Sequence, residues 1–295
     1  NTMLATAKLL KFTKPASGHA TKRISKRKFT TGAKRMLEGK SAIVTGSTSG
    51  IGLSVAGKLA SQGANVTING FGKKSEIDEI VSKLAKEHKV KITYHGADIS
   101  KPAEIRDLVA HTTKEFGAVD ILVNNAGIQH VSPVDTFPEE KWDAIMAINL
   151  SAVFHGIKAV LPGMKSRGWG RIVNVSSVHG LVASANKSAY VAAKHGVVGL
   201  AKAVALETAG SGVTINTVCP GWVLTPLVQA QIEAKAAKEG ISIEEANASL
   251  VGEKMPSKQF VESDFIGDTV LFYCSPAAKQ LTGTSLPVDG GWTSQ

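Results

Sequence analysis

The sequence lacks the features that mark several protein classes. Its two cysteines, Cys219 and Cys274, sit singly in apolar surroundings, so neither a disulfide framework nor metal-type spacing is available, and both read as buried reduced thiols. No apolar run is long enough for a secretory signal, and the most apolar helix candidates are broken by His155, Lys158 and Lys202, which argues against membrane insertion. Internal repeats are absent, and so are low-complexity tracts beyond the N-terminus. Residues 1–36 contain ten Lys or Arg but no Asp or Glu. That leaves 24 basic against 24 acidic residues in 37–295, so the net charge of +10 belongs to the N-terminal segment and the neutral body offers nothing to nucleic acid. The segment also carries eight Ser or Thr, and a helix at its start would set Ala5, Leu9, Leu10 and Phe12 against Lys8, Lys11 and Lys14. Basic, acid-free and amphipathic, it reads as a mitochondrial transit peptide, which implies a matrix location.

From Lys40 the chain follows a βα rhythm. Strands are expected at Ser41–Thr45, Asn65–Asn69, Val90–Tyr94, Val119–Val123, Ile172–Val175, Val213–Val218 and Ser285–Val288. Helices are expected at 51–62, 75–88, 102–116, 139–166, 187–205 and from Val261. This alternation predicts an α/β fold: one doubly wound Rossmann-type domain over 37–295, with a parallel seven-stranded sheet, helices on both faces, and ligands outside the carboxyl ends of the strands. Between Val223 and Phe260 the rhythm fails, and two helical patches, 226–238 and 243–251, read as a substrate lid.

The residues after each strand carry the chemistry. TGSTSGIG places glycines at 46, 50 and 52 in a strand-to-helix turn, where backbone N–H groups can approach a pyrophosphate at a helix N-terminus. Its GxxxGxG spacing differs from the commoner GxGxxG. Asp98, with Ile99, follows the third strand and could cap the next helix or meet an adenine amino group. Asn149 lies inside a helical pattern among Ile145, Ile148 and Val153, where a buried amide needs backbone or water partners. Tyr190 and Lys194 share a helical face, and Ser177 follows the strand ending at Val175. A phenol, with a reference pKa of about 10, needs a neighbouring cation to act as a base near neutrality.

Together, TGSTSGIG, NNAG at 124–127, Asn149, Ser177, Tyr190-x-x-x-Lys194 and PGW at 220–222 resemble the short-chain dehydrogenase/reductase family over about residues 38–295. The resemblance implies that Tyr190 is the general acid/base and that Lys194 lowers its pKa and binds the nicotinamide ribose. It also implies that Ser177 positions the substrate oxygen and that Asn149 holds a relay water. Cofactor contacts are implied at Gly46, Thr48, Ser49, Gly50, Ile51, Gly52, Phe71, Asp98, Ile99, Asn125, Ala126 and Gly127, and at Tyr190, Lys194, Pro220, Gly221, Val223 and Thr225.

NNAGIQH, SSVHGLVASANKSAYVAAKHGVVG, ALETAG, CPGWVLTPLV and VDGGWT are similar to the bacterial-type (R)-3-hydroxybutyrate dehydrogenase subfamily. That similarity implies Gln129, His179, Lys187 and Gln231 around a substrate carboxylate, Trp222 against its carbon chain, and a homotetramer. Asn69-Gly70-Phe71 lacks the acid an NAD enzyme commonly places after its second strand, and Lys73 and Lys74 could meet a 2′-phosphate. The subfamily resemblance includes NGFG with NAD preference, so NAD is the expected cofactor. The alternative is an NADPH-dependent 3-oxoacyl thioester reductase, against which the neutral body and the carboxylate-binding set argue.

Overall fold

The structure, a computed structural model, describes residues 35–295, which form one compact unit. The transit-peptide reading, except at Arg35 and Met36, lies outside the described residues. Both of those residues belong to the compact unit, which therefore takes in the last two positions of the expected 1–36 extension. The Arg35 guanidinium donates to the His88 carbonyl, and Leu37 is fully buried.

Seven parallel strands lie in the order β3-β2-β1-β4-β5-β6-β7. They are β1 (Ser41–Val44), β2 (Asn65–Asn69), β3 (Ile92–His95), β4 (Ile121–Asn124), β5 (Gly170–Val175), β6 (Val213–Pro220) and β7 (Ser285–Val288). Side chains alternate between the two faces. Val44, Val66, Ile68, Val123 and Val173 enter one core, while Ile43, Leu122, Ile172 and Ile215 enter the other. Helices α1 (Gly50–Ser61), α2 (Lys74–His88) and α9 (Ser263–Cys274) pack on the first side. Helices α3 (Pro102–Phe116), α5 (Ala152–Arg167) and α6 (Ser188–Thr208) pack on the second. Strand order reverses between β1 and β4, and this opens the crevice where such sheets bind ligands.

Several local expectations change. The helix expected over 139–166 is α4 (Glu139–Met146) joined to α5 by a π-helical turn at Ala147–Ser151. Buried Asn149 causes the interruption by bonding outside its own helix: Oδ1 accepts from Ile128 N at 2.9 Å and Nδ2 donates to Ile128 O at 2.8 Å. The third strand starts at Ile92 rather than Val90, because Lys89 ends α2 in the left-handed region and the chain must first turn. Lys187 does not open the helix but caps it, with φ −126° and its carbonyl accepting from Val191 N at 2.8 Å. By length and hydropathy, 139–167 and 188–208 could each span a membrane, despite their interrupting charges. Their buried faces, including Val153, Ile157, Val160, Val197 and Ala201, instead form one side of the core.

The excursion from Val223 to Val261 is clasped at its base. The two valines form a parallel bridge, and Val261 N donates to Trp222 O at 2.8 Å. Within it, α7 (Pro226–Glu239) and α8 (Ile243–Gly252) send Val228, Ile232, Ala246 and Val251 into the first core. They thereby hold Leu227 and Gln231 over the carboxyl ends of the strands.

Candidate active site

Two adjoining clefts occupy that edge of the sheet. The larger, of about 970 Å³, runs along the β1–α1 turn and is lined by Gly46, Thr48, Ser49, Gly50 and Ile51. Phe71, Asp98, Ile99, Asn125, Ala126, Gly127 and Thr225 complete the predicted part of its wall. Gly46 has φ +62° and would drive a Cβ into Ala126, so the turn closes only with glycine there. The Asn125 side chain braces it, donating to Thr45 O at 2.9 Å and Gly46 O at 3.0 Å. Helix α1 begins at Gly50 with no side-chain cap and no acid in its first turn, leaving its N–H groups and positive dipole end for an anion. These features fit the pyrophosphate of a dinucleotide.

Six predicted cofactor residues, Gly52, Tyr190, Lys194, Pro220, Gly221 and Val223, do not line this cleft. A Cβ on Gly52 would lie 2.2 Å from Gly46 O, so its glycine serves helix-to-turn packing. Val223 is buried at the clasp, Pro220 is buried at the end of β6, and Gly221 faces the second cleft. Asp98 lines the dinucleotide cleft and does not cap α3, whose N-cap is Lys101; it closes the preceding turn, where Oδ1 accepts from Ser100 N at 3.0 Å and Ser100 Oγ at 2.7 Å. Those two bonds, chiefly, hold its pKa below the usual carboxylate range. Asn69 and Ile148 also line the cleft and were not anticipated; Asn69 Nδ2 donates to His95 O and Ala97 O.

The second cleft gathers Gln129, Ser177, His179, Lys187, Tyr190, Gly221, Trp222 and Gln231, with Leu227, Val228 and Trp292. All five predicted substrate residues meet here. Trp292 was missed as a site residue, although VDGGWT follows the last strand at the same edge as the other functional turns. Asp289 positions it by accepting from Gly291 N, Thr293 N and Thr293 Oγ1. The Trp292 ring lies 5.5 Å from His179 and 5.7 Å from Trp222, centroid to centroid. Gln129 Nε2 donates to Gln231 Oε1 at 3.3 Å, joining the loop after β4 to α7.

Ser177 and His179 form one unit. Ser177 Oγ accepts from His179 N at 3.2 Å and lies 3.3 Å from His179 Nδ1, while Ser184 Oγ is 2.9 Å from Nε2. Burial, with Lys187 nearby, pushes the imidazole down to about 3, so it is neutral and acts as a hydrogen-bonding group. Lys187 Nζ lies 4.8 Å from the Trp222 ring centroid, and burial pushes its pKa down to about 8. It has no salt bridge or hydrogen bond among the described residues. The cleft thus contains an ammonium with an aromatic neighbour and no anion.

Tyr190 lies beside both Ser177 and Lys194. Desolvation pushes its phenol up to about 12, opposed by the Ser177 hydroxyl. The Lys194 ammonium donates to Val175 O at 2.9 Å and sits 5.6 Å from the tyrosine ring centroid, with its own pKa pushed by burial to about 8. Lys194 does reach the rim of the dinucleotide cleft, where a Cβ on Gly127 would be 3.7 Å from Nζ.

A short chain dehydrogenase family profile matches residues 40–236. This chain is a short-chain dehydrogenase. It is 58% identical over 261 residues to a D-beta-hydroxybutyrate dehydrogenase of Cupriavidus necator, covering 88% of this chain and 100% of the relative. Identity is 50% to a D-beta-hydroxybutyrate dehydrogenase of Rhizobium meliloti, covering 87% and 99%. It is 36% to a 3-oxoacyl-(acyl-carrier-protein) reductase of Staphylococcus epidermidis, covering 85% and 98%. Among solved structures, an actinorhodin polyketide ketoreductase with NADPH superposes with TM-score 0.82 at 36% identity, covering 87% of this chain and 98% of that one.

As a short-chain dehydrogenase, the chain binds a nicotinamide dinucleotide, which supplies the hydride acceptor or donor when bound. At neutral pH Tyr190 carries its proton, and a carbonyl oxygen bound in this cleft could accept from it and from the Ser177 hydroxyl. Tyr190→Phe keeps the ring and deletes the proton donor. Turnover should fall by at least about 100-fold while NADH affinity, read by fluorescence titration, stays unchanged. Retention of more than about a tenth of the rate would remove Tyr190 from this role.

Proposed function

We propose that this short-chain dehydrogenase interconverts (R)-3-hydroxybutyrate and acetoacetate with NAD. The observation that carries the reading is the half-buried Lys187 ammonium, which has no anion or hydrogen-bond partner beside it among the described residues. A substrate carboxylate would supply the missing charge, with Gln129, Gln231 and His179 as polar neighbours. Trp222, Trp292 and Val228 supply an apolar wall for a short carbon chain. The carbonyl would then lie by the Ser177 and Tyr190 hydroxyls. The names of the two bacterial relatives at 58% and 50% identity support the same substrate. A 3-oxoacyl thioester, neutral at the corresponding end, would leave Lys187 unpaired.

The preference for NAD is supported by the lysines that could have met a 2′-phosphate. Lys73 pairs with Glu76 at 3.4 Å and Lys74 with Asp78 at 2.6 Å, both on exposed positions of the α2 end rather than in the dinucleotide cleft. The Asn69 side chain is tied to His95 and Ala97, so no acidic group is required for the turn to form.

Import into mitochondria is proposed from the composition of residues 1–36. Assembly as a homotetramer is proposed from the subfamily resemblance, and the exposed Phe154, Phe265 and Phe272 are apolar surface that such contacts could cover. A fluorescent fusion of residues 1–36 should reach mitochondria, and the purified protein should scatter light as four chains; diffuse fluorescence or a monomer mass would refute the respective statement.

Lys187→Ala leaves the carboxylate unpaired, and because Lys187 is only half-buried the loss should fall below the about 3 to 5 kcal/mol of a fully buried pair, at roughly 10²-fold in kcat/KM for acetoacetate. Reduction of butanone, neutral and of the same length, should change little. Below pH about 8 Lys187 is protonated and anchors the anion, and above it the anchor is lost. The wild-type ratio of acetoacetate to butanone kcat/KM should therefore fall as pH rises through 8. Equal losses on both ketones, or a ratio independent of pH, would count against carboxylate recognition.

A further inference from the structure

The opposite edge of the sheet holds a second unpaired cation. Arg171, at the start of β5, is only 5% exposed and forms part of the wall of a cleft of about 1560 Å³. Its Nη1 donates to Gly170 O at 2.7 Å and Gly212 O at 3.1 Å, whereas Nε has no partner and Nη2 makes no hydrogen bond among the described residues. Lys40 and Lys279 line the same cleft, and among the described residues no Asp or Glu does. Both Lys40 Nζ, at 4.0 Å, and Arg171 Cζ, at 4.7 Å, approach the Trp169 ring centroid. Thr214, which pairs with Arg171 in the sheet register, is buried with an unpartnered Oγ1 on this wall.

Among the described residues, Arg171 and Lys279 have no carboxylate partner, and Lys40 has only a shared one. Asp120 lies 3.8 Å from Lys40, but it also accepts from Ser41 N and lies 3.7 Å from Arg167. The thiol of Cys274, also on the wall, is pushed by burial up to about 12 and stays protonated. Helices α5 and α6 end at this edge, and their terminal carbonyls favour cations. Lys165 serves one of them, donating to Glu207 O at 3.1 Å, but Lys279 Nζ and the remaining Arg171 nitrogens meet none. The excess of donors over acceptors is therefore real, and it surrounds a cavity.

We propose that this cleft binds a free, multiply charged phosphate anion, with Arg171 at its floor and Lys40 and Lys279 at its sides. Donors approach from three directions: the start of β1, the starts of β5 and β6, and the 276–282 turn. A tetrahedral phosphate has acceptor oxygens on every side, whereas a carboxylate has them in one plane. The depth of Arg171 favours a soluble ion over a headgroup held in a membrane surface. The site lies at the amino ends of the strands, across the sheet from the catalytic cleft, so occupancy does not compete with substrate.

The test is calorimetric titration of inorganic pyrophosphate into the NADH-saturated enzyme, which blocks the dinucleotide cleft. One saturable site per chain is expected, weakened about tenfold by removing one charged donor. Lys279→Glu, on the exposed rim, should show that weakening or more with kcat unchanged, and Arg171→Gln, if it melts like wild type, should abolish binding. If Arg171→Gln does not fold, the Lys279 variant still decides. Absence of saturable binding in the millimolar range, binding lost when NADH saturates, equal affinity in Lys279→Glu, or equal affinity for citrate would each overturn the proposal.

Discussion

An ammonium moved from water into a partly apolar cleft loses hydration that only an anion or a set of acceptors can replace. Lys187 has neither among the described residues, and the depression of its pKa to about 8 expresses that deficit. The rest of the cleft depends on it. The Trp222 ring offers its face, the neutral His179 adds no competing charge, and the Gln129–Gln231 contact closes the mouth without supplying an anion. The substrate is needed to complete the electrostatics, and this is how a site built mostly of apolar walls can select a small carboxylate over a neutral ketone.

Lys194 has a similarly depressed pKa but a different meaning. Its proton is held by the Val175 carbonyl, so it is satisfied by the fold and serves as a fixed donor at the junction of the two clefts. Tyr190, desolvated and protonated beside them, holds a proton that a substrate oxygen could share. A buried lysine, a half-buried lysine and a half-buried phenol thus divide the work by what each one's neighbours leave unsatisfied. The unpaired Arg171 on the far edge follows the same logic with a larger cavity.

Much of this was legible in the sequence because periodicity and turn chemistry are local. The strand-to-helix glycine turn, the seven strands and the clustering of functional residues at strand ends all follow from patterns of a few residues. Asn149 was legible as an anomaly, but its remedy, a π-turn answering the backbone of Ile128, required a contact 21 residues away. Gly52 shows the converse limit: its place in the motif suggested cofactor contact, whereas its neighbour is the carbonyl of Gly46. Lys194 was legible as the neighbour of Tyr190, but its anchor on the Val175 carbonyl, 19 residues away, was not. Trp292 was hidden because its role depends on Asp289 folding the last turn back over the site.

The central claim is that Lys187 waits for a carboxylate, and proton uptake on binding tests it most directly. Butyrate carries the carboxylate but no reducible carbonyl, so it can be titrated calorimetrically into the NADH complex in buffers of different ionisation enthalpy. At pH 8, where Lys187 is close to half protonated, pairing with the anion should raise its pKa and draw in up to about half a proton per site. The uptake should vanish in Lys187→Ala and shrink toward zero at pH 6, where the amine is already charged. Binding without proton uptake at pH 8, or with the same uptake in the variant, would contradict the account.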